Sequence, residues 1–295
     1  MSTFTPVSTP PSEVRPRSQY FNQQLHNLFR DALSLQTWLF LGALLQSTLF
    51  LLIPTSIAIL PVILYFTICF IDNALIYSGI RPNPLMANII PGKTSAQFPG
   101  STIPSQHPIV VIKLAARTNH PLGIIHPHMR KIGTYFNRMI DDLDENSEEY
   151  GYLGANSYLA NERSTGNELM IMAYFRTYDG LHAFSHENGV HREAWNYWNT
   201  QVMGRGKNEE GRMFSIMHEA YEVPVGKWEN IFINYHPSGV AATTFKVDVD
   251  GKEKWASPMV DARKGLFRTS KGRMAASAGD ENEIYGNDPY ANEKA

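Results

Sequence analysis

Several features common in secreted or nucleic-acid-binding proteins are missing from this chain of 295 residues. It contains one cysteine, Cys69, so a disulfide within the chain is impossible, which suits a reducing compartment. It also lacks an Asn-x-Ser/Thr sequence, the acceptor for N-glycosylation. The formal net charge is only -2, and no excess of basic residues predicts a nucleic-acid partner. These absences exclude a disulfide-stapled secreted domain and give no reason to expect nucleic-acid binding.

Charge is also absent from one long apolar run, "ALSLQTWLFLGALLQSTLFLLIPTSIAILPVILYFTICFI", between Asp31 and Asp72. A membrane-spanning helix needs about 20 predominantly apolar residues. The run is therefore long enough for two short spans with a turn near Pro54, or for one long tilted span. It starts too far from Met1 and is too long for a cleaved signal peptide. A buried helix pair would need a very large core, so we expect a membrane segment at residues 31–72.

Basic residues lie on both sides of this run: Arg15, Arg17 and Arg30 before it, Arg81 and Lys93 after it. Positive charge on both flanks favours a hairpin with both ends in the cytosol. Arms of about 17–20 residues suit a thin membrane such as that of the endoplasmic reticulum. The sequence thus predicts attachment to the endoplasmic reticulum through residues 32–71, with the folded part facing the cytosol.

Composition divides the rest of the chain into four parts. Residues 1–30 begin with a Ser-, Thr- and Pro-rich stretch and are predicted to be disordered. Residues 73–107 are rich in Pro, Gly and Ser and are typical of a linker. Residues 261–295 are polar and predicted to be a flexible tail. The folded domain is therefore expected at 108–260.

Hydrophobic periodicity predicts an α+β domain in this range. "PIVVIKLAA" is typical of a buried strand, and "HPHMRKIGTYFNRMIDDLDEN" has one apolar stripe at helical spacing. Two strands follow, then the helical stretch 181–200, then the strand "MFSIMHEAYEV". This order is the βαββαβ pattern of the ferredoxin-like fold. Because its helices cover one face of the sheet only, the bare face predicts a homodimer paired sheet to sheet.

The stretch 181–200, "LHAFSHENGVHREAWNYWNT", holds the densest chemistry in the chain. Its Asn-Gly pair at 188–189 is predicted to interrupt the helix. In the first half, His182 and His186 share a helix face, since they are four residues apart. In the second half, His191, Trp195 and Trp198 share a face.

Four interpretations of this stretch are open. Two imidazoles four residues apart can chelate a metal, but the glutamate of an H-E-x-x-H site and any nearby Cys pair are missing, so no metal is predicted. A single histidine could hold haem, and the tryptophans could simply be core. The fourth interpretation is an apolar pocket with a histidine base. Side chains of neighbouring strands would complete such a pocket: Asn156, Tyr158, Tyr174 and His218.

The motif "YDGLHAFSHENGVHREAWNYWN" lies between "ELMIMAYFRTYDG" and "FSIMHEAYEVPVGKWENIFINYHPSG". Together they resemble the fungal DUF4188 family, which is related to the antibiotic-biosynthesis monooxygenases. The resemblance covers about residues 105–260. It implies a dimeric α+β barrel and oxygenation of an electron-rich substrate such as a terpenoid or polyketide, often without metal, haem or flavin. An N-terminal membrane segment is also familiar in such fungal proteins.

The resemblance implies that the enzyme deprotonates its substrate and that the substrate anion reduces O2. His186 and His191 match the helix motif and are the predicted catalytic bases. Asn156 and Tyr158 are predicted hydrogen-bond donors, and the predicted walls and further contacts are Tyr174, Trp195, Trp198, His182 and His218. Fold does not fix reaction. Two alternatives therefore stay open: a haem enzyme similar to aldoxime dehydratases, and a non-catalytic module that binds a small molecule.

Overall fold

A computed structural model describes residues 7, 10–18, 26–27, 30, 32–99, 103–160, 168–281 and 289–290. The chain forms two compact units. One comprises Phe29–Ile89, and the other combines Met1–Leu28 with Ile90–Ala295.

The first unit is helical. Helix α1 (Leu35–Leu52) begins at Ser34, whose hydroxyl accepts a hydrogen bond from the Thr37 amide. A turn at Pro54 separates it from the short α2 (Thr55–Ala58) and from α3 (Leu60–Tyr77). Two helical segments, Leu35–Leu52 and Thr55–Tyr77, are long and apolar enough to cross a membrane by length and composition, with mean hydropathies of 1.5 and 2.1. Neither α1 nor α3 buries a side chain within the protein.

The second unit is built on a four-stranded antiparallel sheet. Its strands are β2 (Ile109–Thr118), β3 (Tyr152–Leu159), β4 (Leu169–Phe175) and β5 (Phe214–Val223), in the spatial order β3-β4-β2-β5. Helix α4 (Pro127–Glu145) connects β2 to β3. Helices α5 (Tyr178–Glu187) and α6 (Gly189–Tyr197), followed by a π-helical turn at Trp198–Val202, connect β4 to β5. The chain is therefore of the mixed α+β class, and the predicted strand–helix–strand–strand–helix–strand order is confirmed.

The helices cover one face of this sheet. The apolar stripe predicted for α4 is buried along its whole length: Ile132, Tyr135, Phe136, Met139, Ile140 and Leu143. Alternate strand residues meet it, among them Val110, Ile171 and Phe175. Because successive strand residues point to opposite faces, the intervening residues form the other face.

The other face of the sheet is partly covered by the chain itself. Ile109, Leu153 and Tyr174 pack there against Phe98 and Phe245. The covering residues come from outside the βαββαβ pattern, so sequence periodicity gave no sign of them. A homodimer was predicted from a fully bare face, and only part of that face is available for such pairing. The exposed part includes Met217 and Tyr221 of β5, which are 43% and 48% exposed.

Five further strands surround the main sheet. A three-stranded antiparallel sheet has the order β6 (Phe232–Tyr235), β1 (Ile90–Ala96), β9 (Met259–Asp261), and β7 (Phe245–Val249) forms a hairpin with β8 (Lys252–Ala256). The range 73–107, where a linker was predicted, thus contains the end of α3 and all of β1. In the range 261–295, the short helix α7 (Ser270–Arg273) ends in a buried arginine whose Nε donates to Glu229 at 2.6 Å.

The described part of the N-terminal segment packs on the second unit. Ser12 pairs with the backbone of Trp255 through two hydrogen bonds of 2.7 and 2.8 Å. Arg15 forms an ion pair with Asp144 near the end of α4, and the two side chains are 8% and 6% exposed. The backbone amide and the hydroxyl of Ser18 both donate to Asp144 at 2.9 Å. Residues before the apolar helices and residues after them therefore belong to one folded unit.

We predict that Arg15→Ala lowers the free energy of unfolding by about 3 kcal/mol, because the buried Asp144 carboxylate loses its only described ion-pair partner and keeps only the Ser18 hydrogen bonds. Arg17→Ala is the matched control. Arg17 lies two residues away and is 74% exposed, so its loss should change stability by no more than about 0.5 kcal/mol. Urea unfolding of the full chain, followed by tryptophan fluorescence, checks both values. Equal effects of the two substitutions would contradict a buried role for Arg15.

Candidate active-site cavity

A cavity of about 780 Å³ lies between the helices and the helix-covered face of the main sheet. This volume falls in the range of about 300–1,000 Å³ that is usual for small-molecule sites. Most of its wall is apolar. Side chains of three strands form the floor, and the roof is formed mainly by α4, α5 and α6. An apolar molecule of a few fused rings fits such a space.

The connection between α5 and α6 aims the polar side chains at this cavity. Asn188 ends α5, and its side-chain oxygen caps α6 by accepting hydrogen bonds from the amides of Val190 and His191 at 2.9 and 3.0 Å. Its amide group donates to Asp142 and to the hydroxyl of Tyr150. The predicted helix break at 188–189 is confirmed. Because the chain turns there, histidines of two different helices line one cavity.

His182 and His186 of α5 form one pair. Their rings stack with centroids 3.9 Å apart and an interplanar angle of 23°. Nδ1 of His186 lies 3.0 Å from the backbone oxygen of His182. A carbonyl can only accept, so His186 donates from Nδ1 and its Nε2 carries the lone pair. Both side chains contribute to the cavity wall.

His191 of α6 differs because it is half-buried. Burial lowers the pKa of its imidazole, and nearby His186 and His218 lower it further, while a hydrogen bond with the backbone of Ser185 opposes the shift. The ring faces Phe184 edge-on at 5.8 Å between centroids. His191 is therefore neutral near pH 7, which is the state that can accept a proton.

The structure brings six of the nine predicted site residues together at this cavity: His182, His186, His191, Trp195, Trp198 and His218. Trp195 lines the cavity and is 58% exposed, so it is not a residue of the closed core. Trp198 is half-buried and packs against the main core.

The other three predicted residues lie on the opposite face of the sheet. Asn156 and Tyr158 pair with Met172 and Met170 of β4, whereas Ile171 and Ala173 line the cavity. Asn156 and Tyr158 do share a face, as strand alternation predicts, but it is the other face. Oδ1 of Asn156 is buried there without a hydrogen-bond partner among the described residues.

Tyr174 is also on that opposite face. Its hydroxyl lies 3.1 Å from Sδ of Met172. Burial raises the pKa of Tyr174 to about 12, with a further contribution from Tyr158. The phenol is therefore fixed in its protonated form within a core cluster, away from the cavity.

Three tyrosines that the sequence interpretation did not select do line the cavity: Tyr135, Tyr178 and Tyr197. The hydroxyl of Tyr135 donates to Glu193 at 3.0 Å, and that of Tyr197 lies 2.8 Å from Nδ1 of His128. Both partners lie outside the cavity lining. The hydroxyls of Tyr135 and Tyr197 are therefore already engaged, and the ring of Tyr178 stacks on His182 with centroids 6.0 Å apart. Helical spacing predicts that Tyr135 belongs to the apolar stripe of α4. The sequence does not show whether a residue of that stripe packs in the core or lines the cavity.

A second cluster of histidines lies elsewhere in the domain. Nε2 of His120 and of His126 are 3.3 and 3.1 Å from the same carboxylate oxygen of Glu210, which makes the three residues potential metal ligands. Nδ1 of each histidine, however, accepts a backbone amide, from Leu122 and His128 respectively. Each Nε2 therefore carries the proton and donates to Glu210. Hydrogen bonding accounts for this cluster without an ion.

Comparisons with known proteins place the chain among monooxygenases. The family model described as monooxygenase af470-like matches residues 109–240. Monooxygenase af470 of Aspergillus fumigatus is 30% identical over 267 residues, which are 88% of this chain and 94% of that protein.

Solved structures resemble the chain only weakly. An aldoxime dehydratase in complex with butyraldoxime has a TM-score of 0.37 at 13% identity, over 51% of this chain and 39% of the other. SnoaB, a cofactor-independent oxygenase from Streptomyces nogalater, has a TM-score of 0.24 at 12% identity, over 39% of this chain and 91% of the other. Likeness at this level does not bear on the reaction. The sequence match over most of both chains shows that this chain belongs to the monooxygenase af470-like family.

Proposed function

We propose that this protein is a membrane-anchored monooxygenase that oxidises an apolar secondary metabolite of the terpenoid or polyketide type without a bound cofactor. Family membership makes it an oxidoreductase. The finer proposal is based on the half-buried His191, whose lowered pKa keeps a neutral base in the wall of a mostly apolar cavity.

In this proposal His191 removes a proton from a substrate methylene carbon that a neighbouring oxygen function makes acidic. The resulting enolate adds O2 to form a hydroperoxide, and loss of water from the hydroperoxide leaves a carbonyl group. One methylene group and one O2 thus become one carbonyl group and one water. One oxygen atom enters the product, the other leaves as water, and the substrate supplies all four electrons. The protein needs to supply only a base, a dry cavity and orientation.

The other residues of the cavity have supporting roles. His186 has an Nε2 lone pair and is the second candidate for the base. Trp195 and Trp198 present flat aromatic surfaces on which a ring system can stack. Asn156, Tyr158 and Tyr174 are given no part in the reaction, because they lie across the sheet from the cavity.

We expect the full chain to speed oxygen uptake by anthrone, an apolar probe with one acidic methylene group. His191→Ala should reduce the rate by about 10²–10⁴-fold, the contribution usual for a general base. His236→Ala is the control, since His236 is exposed and outside the cavity lining. A wild-type rate in His191→Ala would contradict His191 as the base, and a loss in His186→Ala would then assign that role to His186.

The pH dependence of the same rate tests the protonation state. The base works when neutral, and the pKa of His191 lies below its ordinary value of 6.5. The rate should therefore rise with pH through a midpoint below 6.5 and stay level above it. A midpoint well above 6.5 would contradict His191 as the base. An absorption spectrum of the same sample separates the haem alternative, because a Soret band would identify a haem enzyme.

The membrane anchor is proposed as a hairpin. Leu35–Leu52 and Thr55–Tyr77 each have the length and composition of a span. Residues 10–18 and strand β1 both belong to the second unit. The chain that enters a bilayer after residue 18 must therefore return to the same side before Ile90. That condition requires an even number of spans, and two helices satisfy it. The basic flanks favour the cytosolic side of the endoplasmic reticulum.

Cysteine labelling in sealed microsomes tests this topology. In a Cys69→Ser background, Glu13→Cys and Ala87→Cys lie on the two flanks, and both positions are exposed. We expect a membrane-impermeant maleimide to label both from the outer, cytosolic face. Cys69 of the unmodified chain should label only after detergent is added. Labelling of the two flanks from opposite sides would mean a single span and would contradict the hairpin.

A further inference from the structure

The cavity wall has charge of one sign only. Its polar side chains include four imidazoles and one guanidinium, that of Arg192, and no aspartate or glutamate of the described residues lines it. A wall of this kind disfavours a cationic substrate and has no acceptor charge for one. If the cavity selects substrates by their charge, it therefore selects negatively charged ones.

Arg192 is exposed and contributes to the cavity wall from α6. Its side chain makes no hydrogen bond or ion pair with any residue in the described part of the chain. The adjacent Glu193 is already engaged by both guanidinium nitrogens of Arg138, at 2.9 and 3.1 Å, and by Tyr135. The carboxylate next to Arg192 in sequence is therefore already paired with other residues.

Helix stability does not explain Arg192 either. It lies in the first turn of α6, just after the Asn188 cap. The amino-terminal end of a helix carries partial positive charge, which favours acidic residues there and disfavours basic ones. The backbone amide of Arg192 is already paired with the Asn188 carbonyl at 3.1 Å, so the helix dipole does not favour a cation here.

We propose that Arg192 is a specificity-determining residue that binds an anionic oxygen group, so that the cavity selects apolar organic acids. The substrate would place its ring or chain against the tryptophans and its carboxylate, or a similarly acidic oxygen, at the guanidinium. Guanidinium and oxyanion geometries match through paired N–H donors. This inference rests on the proposed function, since it assigns a substrate class to the same cavity.

Two probes of nearly the same size and shape test the inference: the anion 2-naphthoate and the neutral 2-naphthamide. Equilibrium dialysis measures their binding to the full chain in an uncharged detergent, with detergent alone as the blank. Arg192→Gln should weaken 2-naphthoate binding about fivefold, the effect of one charge pair at a water-exposed site, and change 2-naphthamide binding less than about twofold.

Two further variants separate charge from structure. Arg192→Lys keeps the charge but loses the paired N–H donors, so its affinity for 2-naphthoate should lie between those of the wild type and Arg192→Gln. Arg212→Gln removes an exposed arginine that is paired with Glu209 outside the cavity, and it should change neither affinity. Raising the salt concentration should weaken 2-naphthoate binding and leave 2-naphthamide binding unchanged.

The outcomes distinguish this inference from the proposed function. If both probes bind and Arg192→Gln leaves their affinities unchanged, the inference is overturned and the cavity remains a binding site for neutral molecules. If neither probe binds, both the anion selection and the cavity as the binding site are overturned. The inference is supported if Arg192→Gln weakens binding of 2-naphthoate but not of 2-naphthamide, and if Arg192→Lys weakens 2-naphthoate binding less than Arg192→Gln does.

Discussion

The site depends on one side chain, Asn188, which holds two short helices in a bent arrangement. Its oxygen caps α6, and its nitrogen donates to Asp142 of α4 and to Tyr150. In one continuous helix, His182, His186 and His191 would all be arranged around a single straight axis. The break instead lets His182 and His186 approach the cavity from α5 and His191 approach it from α6. Gly180 contributes to the same geometry, because a Cβ there would lie 2.2 Å from the backbone oxygen of Tyr150.

Local sequence patterns predicted the elements but not their pairing. All six residues of the α4 stripe are buried as predicted, because helical periodicity is a local property. The helix break at Asn188 is local as well. By contrast, which face of the sheet holds Asn156 is decided by the register of β3 against β4. A shift of one residue would exchange the two faces, and nothing in the sequence of β3 alone fixes it.

Long-range contacts account for the other differences. Strand β1 contains a proline and a glycine and lies far in sequence from its partners β6 and β9, so composition indicated a linker. The Arg15–Asp144 ion pair joins residues 129 positions apart. A fragment limited to the predicted folded domain, residues 108–260, would lack both β1 and the Arg15 contact. Experiments on the site are therefore best performed on the full chain.

The proposed site combines a mostly apolar cavity with the neutral imidazole of His191 and the guanidinium of Arg192. In this proposal the substrate loses a proton there, and the resulting anion itself reduces O2. The most direct test is oxidation of anthrone under 18O2 by the full chain, with no reductant added. We predict one O2 consumed per anthraquinone formed, with one 18O atom in the product and the other in water. If oxygen uptake begins only after a reductant is supplied, the electrons do not come from the substrate, and the central claim is contradicted.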